Sequence, residues 1–365
     1  MSHRATTLPL LALVLSALTA VNAGAAQRTF VSVSGSDTNA CSVAAPCRSF
    51  GAAVAQTQVG GEVIALDSGG YGPVDISQSV SIIAPPGVYA GITAFSSTGI
   101  NISGAAPTVV LRGLTINGLG GFIGIQVQAP TNANVALERV VIRGFTHGLY
   151  AWGTNLQLVV RDSEFAQNDY GMTLLNGTHA LLERIIVRHS LHYGIGLRSS
   201  FPTGNEINVE IRDSTLRANE YGVWSDGTMD AVVRDLILVV GQTHISANKF
   251  DAIYVRSQGT STAKVTVAGA TIVDNILAGV YVQCTTPGGV SNVVVTDSTI
   301  TDNGTYAIFA GGTTCKASAG RNTIVRNNTG LYNFTTATGF TSFVNNQIVD
   351  NVLPTFGTIT PLFPQ

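Results

Sequence analysis

The chain has 365 residues, 45% of them hydrophobic and 11% charged, with 40 glycines, a mean hydropathy of +0.30 and a formal net charge of -2. That composition excludes a disordered tail and a nucleic-acid binder, and so small a net charge gives no overall electrostatic steering. Lysine occurs only at Lys249, Lys264 and Lys316, so the cationic groups are almost all arginine.

Residues 1–26 read as a secretory signal peptide. His3 and Arg4 start it, Leu8 to Val21 form its apolar part, and the small residues Ala23 to Ala26 follow. No later stretch reaches the roughly 18 apolar residues a membrane helix needs, so a secreted or periplasmic protein without a membrane span is expected. Residues 27–60 read as an N-terminal cap. Thr29–Ser34 alternates like a short strand and Gly35–Pro46 is a polar loop. Arg48–Gln58 then has a helical face of Phe50, Ala53 and Val54. Short strand-like pieces follow from Gly61, among them Glu62–Leu66, Val74–Ile76, Val80–Ile83 and Val109–Leu111, separated by Pro and Gly.

From about Thr108 to Asn351 the chain repeats. A small residue followed by an aliphatic one recurs at Gly124-Ile125, Gly148-Leu149, Gly171-Met172, Gly194-Ile195, Gly222-Val223, Ala252-Ile253, Gly279-Val280, Ala307-Ile308 and Gly330-Leu331, at steps of 23 to 30 residues. Such a period means a solenoid whose coils bury their apolar sides only against one another. Ahead of most signals stands a polar turn residue: Asn168, Ser190, Asn219, Asn248, Asn275, Asn303, Asn327 or Asn351. A stacked asparagine satisfies backbone groups in a tight buried turn and tolerates left-handed backbone, so these residues read as structural. The expected fold is all-β, a right-handed parallel β-helix of about 10–11 coils over residues 61–353, with a capping helix before it and a tail at 354–365.

The pattern of aliphatic strand, Asn turn and Gly-aliphatic resembles the right-handed parallel β-helix proteins of the pectate-lyase-like superfamily. The opening Gly35-Ser36-Asp37, Pro46-Cys47-Arg48-Ser49-Phe50-Gly51-Ala52-Ala53, Gly60-Gly61-Glu62-Val63-Ile64 and Gly70-Tyr71 is similar to the entry of many secreted bacterial members. The resemblance covers nearly the whole mature chain and implies fold more firmly than activity, because the superfamily holds lyases, hydrolases, esterases, epimerases and proteins without known chemistry. The Asp-Asp pairs of its hydrolases, the calcium-site stretches of its pectate lyases and the signature of its methylesterases are missing here. No zinc spacing, nucleophile elbow, phosphate loop or acidic cluster occurs, so neither a metal nor a cofactor is expected. Export permits disulfides, and the four cysteines form two local pairs, Cys41 with Cys47 and Cys284 with Cys315. Two disulfides are expected; the alternative is one pair of buried thiols.

Alternation along a strand sends the residue after each aliphatic outward. That column reads Tyr150, Thr173, Gly196, Trp224, Tyr254, Tyr281, Phe309 and Tyr332, six aromatics of eight in a chain that is 7% aromatic. A second outward column holds Trp152, Arg198, Asp226 and Arg256. Two accounts stand side by side. Rings with Arg and Asp suit a polysaccharide, and in a metal-independent uronate lyase Arg198, Asp226 and Arg256 would be the catalytic groups, an Arg holding the carboxylate. Equally, aromatic residues favour strands and stack on their neighbours, and an Arg–Asp–Arg ladder contributes little at a surface. The rival is therefore a non-catalytic cell-surface adhesin or rod. A monomer is expected in either case. The alternating columns Glu138-Arg139, Arg161-Asp162, Glu183-Arg184 and Arg212-Asp213 read as register-fixing ladders. Arg143, Arg188 and Arg217 read as a basic column without acids, accompanied by His147, His189 and His192.

Overall fold

The computed structural model describes residues 26–175, 177–198, 206–226, 235–259, 261–285, 288–334 and 339–363. The apolar stretch of the expected signal peptide lies outside the described residues. Each repeat forms one coil of three strands, and all strand pairs are parallel. One coil runs through Leu156–Arg161, Glu164–Ala166 and Tyr170–Leu175 before the chain climbs to Thr178–Glu183. Stacking produces three sheets of 14, 12 and 12 strands, here called first, third and second for the positions of those strands in the sheets of Leu156, Tyr170 and Glu164. The solenoid expected from the repeat is thus present.

The aliphatic of each signal faces the interior. Ile125, Leu149, Met172, Ile195, Val223, Ile253, Val280, Ile308 and Leu331 share one register column of the third sheet, and none is more than 1% exposed. The preceding small residue is required by a close approach between coils. A Cβ on Gly171 would stand against the Gly194 carbonyl oxygen, closer than atoms of two coils can come.

The turn asparagines act as expected, with one difference. Asn275, Asn303 and Asn327 are 1% exposed, and their Nδ2 groups donate to the Oδ1 of Asn303, Asn327 and Asn351 at 2.9, 2.9 and 3.0 Å. The left-handed backbone falls not on the asparagine but on the residue before it. Gln167, His189, Ala218, Ala247, Asp274, Asp302, Arg326 and Asp350 have φ between 53° and 57°. The preceding residue turns the chain, and the asparagine can then point inward and bond along the stack.

Two ends differ. At the N-terminal end the helix Phe50–Gln56 buries Phe50, Ala53 and Val54, and the Ser49 side chain caps it by accepting from the Ala52 N–H. The strand before it, Ala26–Val31, begins ahead of the expected Thr29 and pairs with Thr57–Ala65. At the other end, Leu353–Phe356 and Ile359–Leu362 are strands that pair with Thr329–Phe334 and Phe340–Phe343. The stack therefore runs through residues that read in the sequence as a tail. Both disulfides are formed, Cys41–Cys47 with Cα atoms 4.6 Å apart and Cys284–Cys315 with Cα atoms 5.5 Å apart. No helix among the described residues is long and apolar enough to cross a membrane.

The charge ladders lie on the first sheet and its turn. Glu183 accepts from Arg161 at 2.8 Å and from Arg212 at 2.9 Å, one coil below and one above. Arg184 forks onto Asp162. The basic column of the second sheet is not free of acids. Arg188 bonds Glu164 at 2.7 Å, and Arg143 donates to Asn117 at 2.7 Å. The Arg143 contact joins direct register partners, whereas the Arg188 contact runs diagonally between coils, which reading straight up a column misses.

Candidate functional site

The outward aromatic column is a single register column of the third sheet. Gln126, Tyr150, Thr173, Gly196, Trp224, Tyr254, Tyr281, Phe309, Tyr332 and Phe356 stand opposite one another on successive strands. Its two halves differ in kind.

In the later half the rings lie flat on one another. Tyr254–Tyr281, Tyr281–Phe309, Phe309–Tyr332 and Tyr332–Phe356 have centroids 5.3, 4.2, 5.4 and 4.6 Å apart and planes within 8°, 1°, 19° and 12° of parallel. Coils about 4.8 Å apart impose that spacing on any ring standing upright on the sheet. Each face is then covered by the next ring, and solvent meets edges and hydroxyls. Phe309 is 6% exposed, so its ring offers no open face to a ligand. Phe334, on the second outward column beside Tyr332, is 65% exposed.

In the earlier half the ladder is interrupted at Thr173 and Gly196, and rings from a flanking column fill the break. These are the residues immediately before the small-aliphatic signal: His147, Tyr170, Tyr193 and Tyr221. Tyr193 leans across Gly196 so closely that a Cβ there would overlap its ring. Tyr193 stacks on Trp224 at 5.4 Å and 10°, and Tyr170 stacks between His147 and His192, each at 4.7 Å. The sequence carried a signal for this column, an aromatic directly ahead of Gly in Tyr170-Gly171, Tyr193-Gly194 and Tyr221-Gly222. Strand alternation assigns these residues no face, because each stands where a turn gives way to a strand.

Around the break is a concavity of about 250 Å³ lined by Tyr170, His192, Tyr193, Arg198, Glu220, Tyr221 and Trp224. The Arg198 guanidinium sits 6.0 Å from the Trp224 ring centre. His192 Nδ1 and Glu220 Oε2 are 2.9 Å apart on the rim. Behind them runs a chain of hydrogen bonds: His147 Nδ1 to Thr173 Oγ1 at 3.1 Å, and Thr173 Oγ1 to the Tyr193 hydroxyl at 3.1 Å. Burial, and after it the Arg198 charge, pushes the His147 imidazole down to about 4, so it is neutral at pH 7. Burial raises the Tyr193 phenol, against a smaller opposite pull from Thr173 and Arg198. The arrangement offers a fixed cation and a protonated phenol to whatever enters, with a neutral imidazole behind them on the hydrogen-bond chain.

Of the residues expected to be catalytic, Arg198 lies in this concavity. Asp226 and Arg256 stand opposite each other in backbone register on the next two strands, which places Arg256 roughly 10 Å from the Arg198 strand along the stack. Trp152 stands in register with Gln128 on the N-terminal side, where Asp75, Asn101 and Gln128 form an amide-rich run through hydrogen bonds of 3.0 and 2.9 Å. One further ionisable group lies under the face. Asp251, 4% exposed, accepts from the Ala278 N–H at 2.8 Å, and burial raises its carboxyl to about 6 despite that bond. Among the described residues no cluster of three or more His, Cys, Asp or Glu could hold a metal ion.

This architecture is that of a right-handed parallel β-helix. The family model described as "Right handed beta helix region" matches residues 235–355. Similar solved structures include the A-module of the Azotobacter vinelandii mannuronan C-5 epimerase AlgE4, with 15% identity over 84% of this chain and 91% of that one at a TM-score of 0.59. A rhamnogalacturonan lyase shares 13% identity over 78% and 82% at 0.55, and the pectate lyase Pel9A 14% over 87% and 78% at 0.52. No curated protein sequence matches the chain. Identities this low make the likeness one of fold: the chain has the right-handed parallel β-helix fold.

Proposed function

We propose that this is an exported polysaccharide-binding β-helix protein, and that it grips an acidic sugar in the concavity of the third sheet. The observation that carries the reading is Arg198 held against Trp224 in an aromatic-walled recess, with the Tyr193 hydroxyl and the His192–Glu220 pair at hand. A guanidinium fork matches a carboxylate, and aromatic walls suit the C–H faces of a pyranose. The named proteins of similar fold act on polysaccharides, which agrees with this substrate class. Two disulfides agree with an oxidising, extracytoplasmic setting.

Lyase chemistry is the finer form of the proposal. Arg198 neutralises the uronate carboxylate and thereby acidifies the C5 proton, with Asp226 and Arg256 on the next coils holding the neighbouring sugar. As the Tyr193 oxygen takes that proton, its own passes through Thr173 to the neutral His147. The electron pair left at C5 forms the C4=C5 double bond as the C4–O bond breaks, and the proton returns along the same chain to the departing oxygen.

The rod reading draws on the later half of the sheet, where ring faces are covered by other rings and the column works as a stabilising ladder. The test is a screen against pectate, alginate and glycosaminoglycans, measuring binding and the ultraviolet absorbance of unsaturated products together. Binding that Arg198→Ala abolishes supports the site, and accompanying absorbance supports the lyase. Binding without product removes the lyase and leaves the site. Absence of binding to every acidic polymer removes both.

A further inference from the structure

Toward the N-terminal end the third sheet runs on for five strands past that of Arg198, and its outward chemistry changes there. Asp75, Asn101, Gln126 and Tyr150 share one outward register column, with Gln128 and Trp152 paired in the next. Asn101 Nδ2 donates to Asp75 Oδ1 at 3.0 Å, Gln128 Nε2 to Asn101 Oδ1 at 2.9 Å, and Gln126 Nε2 to Gln128 Oε1 at 3.5 Å. The run ends on a carboxylate that can only accept, which sets the orientation of every amide behind it. Each amide uses one of its two N–H groups inside the run. The three are half-buried and Asp75 is exposed.

Rings join this run to the concavity. Phe122, 55% exposed, meets His147 edge-on at 5.6 Å. His147 meets Tyr150 at 5.1 Å and lies flat on Tyr170, which lines the concavity, at 4.7 Å. The strands of Gln128 and Arg198 are three apart, roughly 14 Å, a span of a few sugars.

Charge separates the two regions. The strands Val74–Ile76, Thr98–Ser103, Ile123–Thr131 and His147–Thr154 contain no Lys or Arg, and their one acid is Asp75. A uronate carboxylate laid there would lose water, find no cation in those strands and face Asp75. A neutral pyranose meets no such penalty. Its hydroxyls both donate and accept, as the amides do, Asp75 accepts from a hydroxyl, and the Phe122 ring suits a C–H face.

We propose that the amide run is a second subsite of the same track and takes neutral sugars, so that the ligand is a mixed glycan, a uronate with neutral sugars beside it, rather than a homopolyuronate. The inference rests on the acidic-sugar reading of the concavity and adds to it what the rest of the chain must be.

Calorimetry on the mature chain tests it with oligosaccharides of matched length from two homopolyuronates, pectate and alginate, and two mixed glycans, glucuronoxylan and unsulfated chondroitin. Wild type is compared with Asn101→Ala, Gln128→Ala, Gln128→Arg and Arg198→Ala, with circular dichroism showing that each folds. At least one mixed glycan is expected to bind at least tenfold more tightly than both homopolyuronates. Asn101→Ala and Gln128→Ala should remove that margin and leave homopolyuronate binding as in the wild type, while Gln128→Arg, which supplies a cation, should shift preference toward the homopolyuronates. Homopolyuronates that bind the wild type as tightly as the mixed glycans, or a margin that survives both alanine variants, overturn the inference. If Arg198→Ala still abolishes binding in that case, the concavity stands without the second subsite. No binding to any of the four, or binding untouched by Arg198→Ala, removes the concavity reading and this inference with it.

Discussion

Asp251→Asn should stabilise the protein at neutral pH and do so less and less as the pH falls. The carboxyl is 4% exposed, has its Oδ1 on the Ala278 N–H, and is raised by burial from 3.8 to about 6. A raised acid means that the folded state binds the proton more tightly than the unfolded chain. Its contribution is therefore fully favourable below 3.8 and is lost as the pH rises through about 6. With those two values the folded state loses about 3 kcal/mol by pH 7, of which about 1 kcal/mol disappears between pH 5 and pH 7. Asparagine keeps the carbonyl acceptor for Ala278 and carries no charge. The assay is urea unfolding of wild type and variant at half-unit steps from pH 5 to pH 8, because the difference between them cancels every other titration. The variant's advantage should grow by about 1 kcal/mol from pH 5 to pH 7 and level off above. A difference that stays flat across that range, or grows toward acid, refutes the reasoning.

Three other outcomes follow from the stack. Asn303→Ala removes the amide that joins the Asn275 and Asn327 turns and strands buried partners on both sides, so it should cost about 2–4 kcal/mol in unfolding free energy. Gly171→Val drives a side chain into the Gly194 carbonyl and should destabilise by at least about 1–3 kcal/mol, seen as a lower melting temperature. Tyr281→Ala and Trp224→Ala should separate the two halves of the aromatic column. The first loses two flat ring contacts, worth about 0.5–1.5 kcal/mol each, without weakening glycan binding; the second weakens binding at least tenfold, read by calorimetry.

What could be read from the residues was set by periodicity. A strand's two-residue alternation, anchored by the aliphatic of each signal, determines which side chains share a column, and so Tyr150 to Tyr332 appear in register from the sequence alone. Ring orientation is not periodic information. That Tyr281 and Phe309 lie parallel while Tyr193 folds over Gly196 depends on the space left by Thr173 and Gly196 in the neighbouring coils. The flanking tyrosines were missed for the same reason, since a residue next to a turn has no assigned face until the turn's geometry is known. Diagonal contacts such as Arg188 with Glu164 escape any reading made straight up a column. The raised Asp251 carboxyl was equally invisible, because it rests on burial within the stack, and its hydrogen-bond partner Ala278 lies a coil away.

The central claim, that Arg198 in the third-sheet concavity holds a sugar carboxylate, is tested most directly by calorimetric titration of one oligouronate and its carboxyl-reduced counterpart into wild type and Arg198→Ala. The account predicts binding of the acidic oligosaccharide to the wild type, and at least a tenfold loss when either the carboxylate or the guanidinium is removed. Removing both should cost little more than removing one. Equal affinity for the acidic and the reduced oligosaccharide, or acidic binding undiminished in Arg198→Ala, would contradict it.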